Sequence, residues 1–276
     1  MTLRLRQLQV IHRHGDRTPL INIFQGSNKI QLEKDEAQLW DRHLPTPLQR
    51  ARLGSRFSVQ SSADASSAFQ QRPFGYLTTR GIEQMTMRGQ WLRQLCEDEE
   101  LQLDAVTTEK LQVYSSAYTR TQLSVQALLD GMLSDQCQSI PSVRVLPPEE
   151  DIINTYAIFP EIKKLKVDLE RDDAEFAARE HEVAPIKHEL MRLFPAVHSG
   201  QLPFNWLNAA DYFVCRRAHQ APYIPGTELH ADVTERHLGF RFHQLVAGRL
   251  MHNVLLELLH SSFWRTTAES SSLVLD

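Results

Sequence analysis

LTTRGIEQMTMRGQWLRQLC, residues 77–96, is followed by LQVYS at 111–115, TRTQLSVQALLDGML at 119–133 and SVRVL at 142–146. The first of these places Ile82, Met85, Gly89, Leu92 and Cys96 at three- and four-residue steps, the period of a helix with one apolar face. Thr78 or Thr79 can cap its start. LQVYS and SVRVL are short, rich in apolar and β-branched residues, and bounded by turn signals, so both predict strands. The segment between them turns Val125, Leu128, Leu129 and Met132 to one side of a second helix. Helices alternating with strands predict an α/β fold, a mixed sheet flanked by helices.

Upstream, LRLRQLQVI at 3–11 alternates apolar and polar residues and then becomes continuously apolar. That pattern predicts a first strand, partly buried within the sheet. It runs straight into HRHGDRTP, residues 12–19, where glycine and proline mark a turn. Residues 20–76 show weak periodicity and contain LPTP and the small-residue run QSSADASSA. They predict an irregular insertion with one short helix near 48–57, the kind of segment that lines a site.

Downstream, the grammar changes to helices at about 161–194 and 206–214. A long helix from about 232 to 260 carries Leu238, Phe242, Leu245, Val246, Leu250, Val254, Leu255 and Leu258. The expected division is an α/β core over 1–148, including the insertion, and a mostly helical lobe over 149–231. The helix 232–260 would then return to the core, and 261–276, SSFWRTTAESSSLVLD, would be a tail.

Composition narrows the classes. The chain has 276 residues, 42% of them hydrophobic and 23% charged, which suits a globular protein with a sizeable core. Thirty basic residues against 34 acidic ones give a net charge of -4. No basic stripe or aromatic platform suggests a nucleic-acid partner. No apolar run reaches the length of a membrane span, so a soluble protein without a transmembrane segment is expected. MTLRLRQLQV has no continuous apolar h-region, so a signal peptide is not expected, and the compartment stays open, as does the oligomeric state. Cys96, Cys137 and Cys215 are too scattered for a disulfide framework or a zinc cluster and are expected to be free thiols.

The turn after the first strand carries the chemistry. Positive charge on Arg13 and Arg17 should hold His14 between them neutral, and neutral imidazole is a nucleophile. Two guanidiniums can grip the oxygens of one phosphoryl group. Gly15 permits a tight turn, and a helix starting directly after it would add free N–H groups. Arg120, at the start of the helix after LQVYS, opposes the helix dipole unless an anion sits there. Residue types alone leave three readings of the turn open: phosphoryl binding, an ordinary basic turn, or a metal site using His12, His14 and His43. For Arg120 the alternative is a surface salt bridge.

VIHRHGDRTP, with LTTRGIEQM and VYSSAYTRTQLSVQALL following in order, resembles the histidine acid phosphatases, the acid phosphatase and phytase branch of the histidine phosphatase superfamily. The likeness extends more weakly through LPPEEDIINTYAIFP to about residue 260, and the helical segments are most similar to lysophosphatidic-acid-type acid phosphatases. The resemblance implies phosphate-monoester hydrolysis through a phosphohistidine on His14. Arg13, Arg17 and Arg120 would form the phosphate pocket, with no cofactor and no metal. The implied partner is a small phosphorylated substrate or inorganic phosphate. Phe57, Phe74 and Tyr76 are candidates for an apolar groove, should the substrate be a lipid phosphate.

The sequence departs from the family at a second motif, a late His-Asp whose acid protonates the leaving alcohol. It contains no His-Asp dipeptide. His181–Glu182 and His188–Glu189 fall on a helical pattern and read as polar helix surface; His230 and Asp232 come too early, and Asp232 reads as a helix cap. Ser115 stands where the family commonly has arginine, and Asp16 should lower the local positive charge. The expectation is a phosphatase-like chain that stops before its acid-bearing strand, a truncated, alternative or degenerate form. The competing expectation is a catalytically weak protein that binds phosphate or a phosphorylated partner.

Overall fold

The computed structural model describes residues 8–61, 71–101, 103, 111–135, 137, 140–147 and 160–246. The sheet is small and wholly parallel among these residues. Strand β1 (Val59–Ser61) and strand β2 (Tyr114–Ser115) flank the central strand β3 (Val143–Val145). Helices α1 (Ile30–Asp41) and α2 (Pro47–Arg56) precede β1; α3 (Thr79–Asp98) and α4 (Thr119–Met132) lie before and after β2.

Helix α3 starts where Thr78 accepts the Gly81 N–H, and it buries Ile82, Met85, Gly89, Leu92 and Cys96, the face expected from the sequence. Helix α4 buries Val125, Leu128, Leu129 and Met132. The two pack backbone to backbone: a Cβ on Gly89 would stand 2.0 Å from the Leu128 carbonyl oxygen, and one on Gly131 2.0 Å from that of Thr86. Their apolar faces join Leu53, Phe57 and Val143 in one core.

Past residue 160 the structure is helical: α5 (Pro160–Asp172), α6 (Ala174–Leu193), α7 (Pro195–His198), α8 (Trp206–His219) and, after a 3₁₀ turn at Glu228–His230, α9 (Ala231–Val246). A second core of Val183, Leu190, Phe194, Trp206, Tyr212, Phe213 and Ala231 unites α6, α8 and α9, and Ile23 and Phe24 join it from the N-terminal side. The three cysteines are free. No helix among the described residues is long and apolar enough to cross a membrane. The proposed continuation of the last helix to 260, the tail and most of LPPEEDIINTYAIFP lie outside the described residues.

Three expectations need correction. Residues 8–15 form no strand, and Val10 and Ile11 are exposed rather than sheathed in a sheet; residues 1–7 lie outside the described part. The described residues of the insertion 20–76 are more regular than expected: besides the expected helix near 48–57, which is α2, they form α1 and β1. LPTP opens α2 instead of interrupting the chain: Thr46 and Gln49 form a reciprocal capping box with Pro47 in the first turn. Helix α1 escaped the periodicity because its buried residues are Glu36 and Trp40, not an apolar stripe. Glu36 accepts from Trp40 Nε1 at 2.7 Å and from Arg216 at 2.5 Å, so a polar tie replaces apolar burial. Phe57 and Phe74 belong to the cores and are unavailable to a groove; Tyr76 is half-buried.

Candidate active site

The turn at residues 13–18 is clamped from several sides. The Gly15 N–H donates to Ser124 Oγ of α4, and that hydroxyl donates to the Arg120 carbonyl. The Asp16 N–H donates to Gln84 of α3, while its carbonyl accepts the Thr78 N–H. Glycines make the approach possible: a Cβ on Gly81 would lie 2.2 Å from the Asp16 carbonyl oxygen, and one on Gly15 2.5 Å from that of Gly81. No helix starts directly after the turn, contrary to expectation; the next begins at Ile30, and the helix start that reaches the site is that of α4, which carries Arg120.

His14 Nδ1 lies 2.8 Å from the Gly15 carbonyl oxygen. A carbonyl can only accept, so Nδ1 carries the proton and Nε2 exposes a lone pair. Arg17 Nε–H points at that Nε2 from 3.4 Å. Burial, then the positive charges of Arg13, Arg17 and Arg120, pull the imidazole down to about 4 against the one opposing bond to Gly15. At neutral pH this is an uncharged imidazole beside three cations, its unprotonated Nε2 engaged only by the long Arg17 contact among the described residues.

The arginines are held differently. Arg13 is exposed and acts on His14 through its charge. Arg17 is buried and forms a two-pronged ion pair with Asp211 of α8, 2.6 Å from Nη2 and 3.0 Å from Nη1. Burial disfavours its charge, but the Asp211 carboxylate reverses that and raises its pKa. Arg120 lies over the Tyr118 ring at 4.1 Å and is 3.5 Å from the Gly75 carbonyl, and its buried Nε has no hydrogen-bond partner among the described residues. Burial and then Arg17 make its charge less favourable than usual. A buried cation next to another, with a donor left over, is a site arranged for an anion.

Asp16 does not simply dilute the positive charge. Its carboxylate accepts from Thr78 Oγ1 at 2.5 Å and from His219 Nε2 at 2.7 Å, so it ties the turn to α3 and α8. Burial pushes its pKa up, but the bonds from His219 and Thr78 outweigh this and hold it lowered and ionised. His43 packs on His219 at 4.3 Å, with Trp40 beyond, and His12 is exposed. The three histidines of the metal reading are thus dispersed, and no metal-holding group of three or more such ligands occurs among the described residues.

The His-Glu pairs are helix surface. Glu182 pairs with Arg179 and Glu189 with Arg192, each at 2.5 Å within α6. Asp232 lies in the first turn of α9, 3.8 Å from Arg217. Ser115 is buried and donates to the Ser116 carbonyl. Asp211 went unnoticed in the sequence. The signal was a carboxylate amid the apolar face of α8, four residues from Cys215 and eight from His219.

A family model described as histidine phosphatase superfamily (branch 2) matches residues 4–213. No curated protein matches the chain.

Proposed function

The chain belongs to the histidine phosphatase superfamily, branch 2, and on that premise we propose that it is a phosphate-monoester hydrolase working through His14. The observation that carries this reading is the Nε2 lone pair of a neutral His14 facing Arg17, with the charges of Arg13 and Arg120 acting on the same imidazole. His14 Nε2 attacks phosphorus, the P–O bond breaks, and the leaving oxygen departs with the electron pair and takes a proton from solvent to become the alcohol. Water then attacks the phosphohistidine, the P–N bond breaks, and inorganic phosphate departs with His14 restored. The guanidiniums stabilise charge gathering on the phosphoryl oxygens, and the covalent intermediate divides the displacement in two.

The finer reading places the chain in the acid phosphatase and phytase branch, near the lysophosphatidic-acid-type enzymes. A cleft of about 360 Å³ between α1 and α8 is lined by Phe24, Leu32, Leu39, Tyr223 and Ile224 together with the charged Lys29, Asp35, Glu36 and Arg216; its apolar wall suits a lipid tail, but none of His14, Arg13, Arg17 and Arg120 lines it. Acid phosphatase chemistry is also supported by the depressed His14. The nucleophile must be unprotonated, so kcat/KM should hold as pH falls through 6.5 and decline only near pH 4. A pH profile of the free enzyme checks this, and a limb between 6 and 7 would contradict it.

A second reading, a phosphate-binding protein with little turnover, is favoured by the two carboxylates of the cluster. Asp16 and Asp211 are both ionised or ion-paired and engaged by several donors, so neither is ready to protonate an alcohol. Hydrolysis of a series of aryl and alkyl phosphates separates the two. The enzyme reading expects turnover of aryl phosphates with good leaving groups; alkyl phosphates should lag by a further ~10²- to 10⁴-fold, the usual share of general acid catalysis. A folded chain that binds phosphate but hydrolyses none of the series would establish the second reading instead.

A further inference from the structure

Helix α8 faces the turn with a stripe that the proposed reaction has not yet used. Asp211, Cys215 and His219 recur every four residues and share one side of the helix. Each meets the turn. Asp211 takes the Arg17 guanidinium and the Leu20 N–H, Cys215 donates to the Arg17 carbonyl at 3.5 Å, and His219 takes the Asp16 carboxylate.

Taking the phosphohistidine reading as given, we propose that Asp211 is a positioning residue for phosphoryl transfer, aiming one edge of Arg17 at the reacting centre. A guanidinium has five N–H donors. Asp211 engages both terminal nitrogens, through Oδ2 on Nη1 at 3.0 Å and Oδ1 on Nη2 at 2.6 Å, and the other Nη1 hydrogen goes to the Thr18 carbonyl. What remains is the side of the fork made by Nε–H and the outer Nη2–H, and Nε–H is the group that points at His14 Nε2. That pair of parallel donors matches two oxygens of one phosphoryl group. Asp211 also neutralises Arg17, which lets it sit buried beside His14 and Arg120 without three uncompensated cations. Arg17 thus acts as an oriented donor, and the net attraction for phosphate falls to Arg120 and Arg13.

Asp211→Asn keeps an acceptor for the Leu20 N–H but cannot hold both prongs of Arg17. The expected result is a kcat about 100-fold lower, the scale of a misplaced contact, with KM and inhibition by inorganic phosphate within about threefold of the unmodified chain. A merely structural role would instead lower the amount of folded protein and leave kcat per active site unchanged. Asp211→Asn placed on Arg17→Gln should cost no more than about a further twofold. A kcat within threefold of the parent for the single variant would overturn the proposal, as would a tenfold further loss in the double variant. Should Asp211→Asn fail to fold, the double variant, in which neither charge is buried alone, carries the comparison with Arg17→Gln. The Arg17 Nε–H resonance gives a readout that does not depend on turnover. It should be sharp, and shift with inorganic phosphate, in the parent but broaden in Asp211→Asn. An identical resonance in both would reject the role of Asp211 even in a chain with no hydrolysis, whereas absence of hydrolysis alone would reject only the phosphohistidine reading.

Discussion

Replacing His14 with alanine is expected to lower hydrolysis of an activated aryl phosphate by roughly 10⁴- to 10⁶-fold, the scale seen when a covalent enzyme loses its nucleophile. His14 contributes little to the fold. Its side chain is half-buried and bonds through Nδ1 to the carbonyl of its own neighbour, Gly15. It is not part of any of the three apolar clusters, and the turn is anchored independently by Ser124, Gln84 and Thr78. Stability should therefore change by no more than about 1 kcal/mol. Removing an imidazole beside Arg13, Arg17 and Arg120 leaves the anion pocket intact, so inorganic phosphate should still bind. Loss of catalysis with retained phosphate binding is the signature of a nucleophile. Rapid quenching with labelled substrate should trap acid-labile phosphate on the parent chain and none on His14→Ala. Turnover within tenfold of the parent would mean that water attacks the substrate directly, and His14 would lose its role.

The extent to which this site was legible in the sequence follows from the range over which each residue acts. His14, Arg13, Gly15 and Arg17 sit within five positions, so they could be read as one motif, whereas Arg120 stood out at a helix start and took its expected role from the resemblance. The faces of α3 and α4 were legible because apolar burial imposes a period. Asp211 was not, since it joins Arg17 across 194 positions and a single carboxylate in an apolar helix has no periodic signature. Helix α1 was missed for the same reason: its anchor is the buried pair Glu36–Arg216, 180 positions apart. Asp16 shows a subtler limit. Its charge suggested a weakened anion pocket, yet His219 and Thr78 spend that charge in fastening the turn. Of the expected first strand only residues 8–11 are described, and they are unpaired because alternation reports a preference for two-sidedness, not the presence of a neighbouring strand to pair with.

Gly81→Ala is expected to reduce activity about 100-fold while leaving most of the chain folded. Two effects oppose each other. Alanine is better than glycine inside a helix by about 1 kcal/mol, so on propensity alone the variant would be more stable. Against this, the new Cβ would stand 2.2 Å from the Asp16 carbonyl oxygen and 3.0 Å from its nitrogen. These are backbone atoms, fixed by bonds to Thr78 and Gln84, and cannot swing aside as a side chain would. Relief requires the turn and α3 to separate by about 1 Å, and forced insertions of this kind cost about 1–3 kcal/mol. The net loss of stability is thus small, at most about 2 kcal/mol, because helix propensity offsets part of the strain. The displacement itself falls on Asp16, next to Arg17 and two residues from His14, where an error of 1 Å in position costs about 10²-fold. Gly89→Ala provides the contrast. Its Cβ would meet the Leu128 carbonyl at 2.0 Å, an equally hard clash at the α3–α4 crossing, away from the turn. That variant should lose stability to a similar degree but keep its activity per folded molecule. Thermal unfolding and kcat measured on both variants separate the cases. Equal losses of kcat per folded molecule would show that the close contact of Gly81 with the turn has no special catalytic weight.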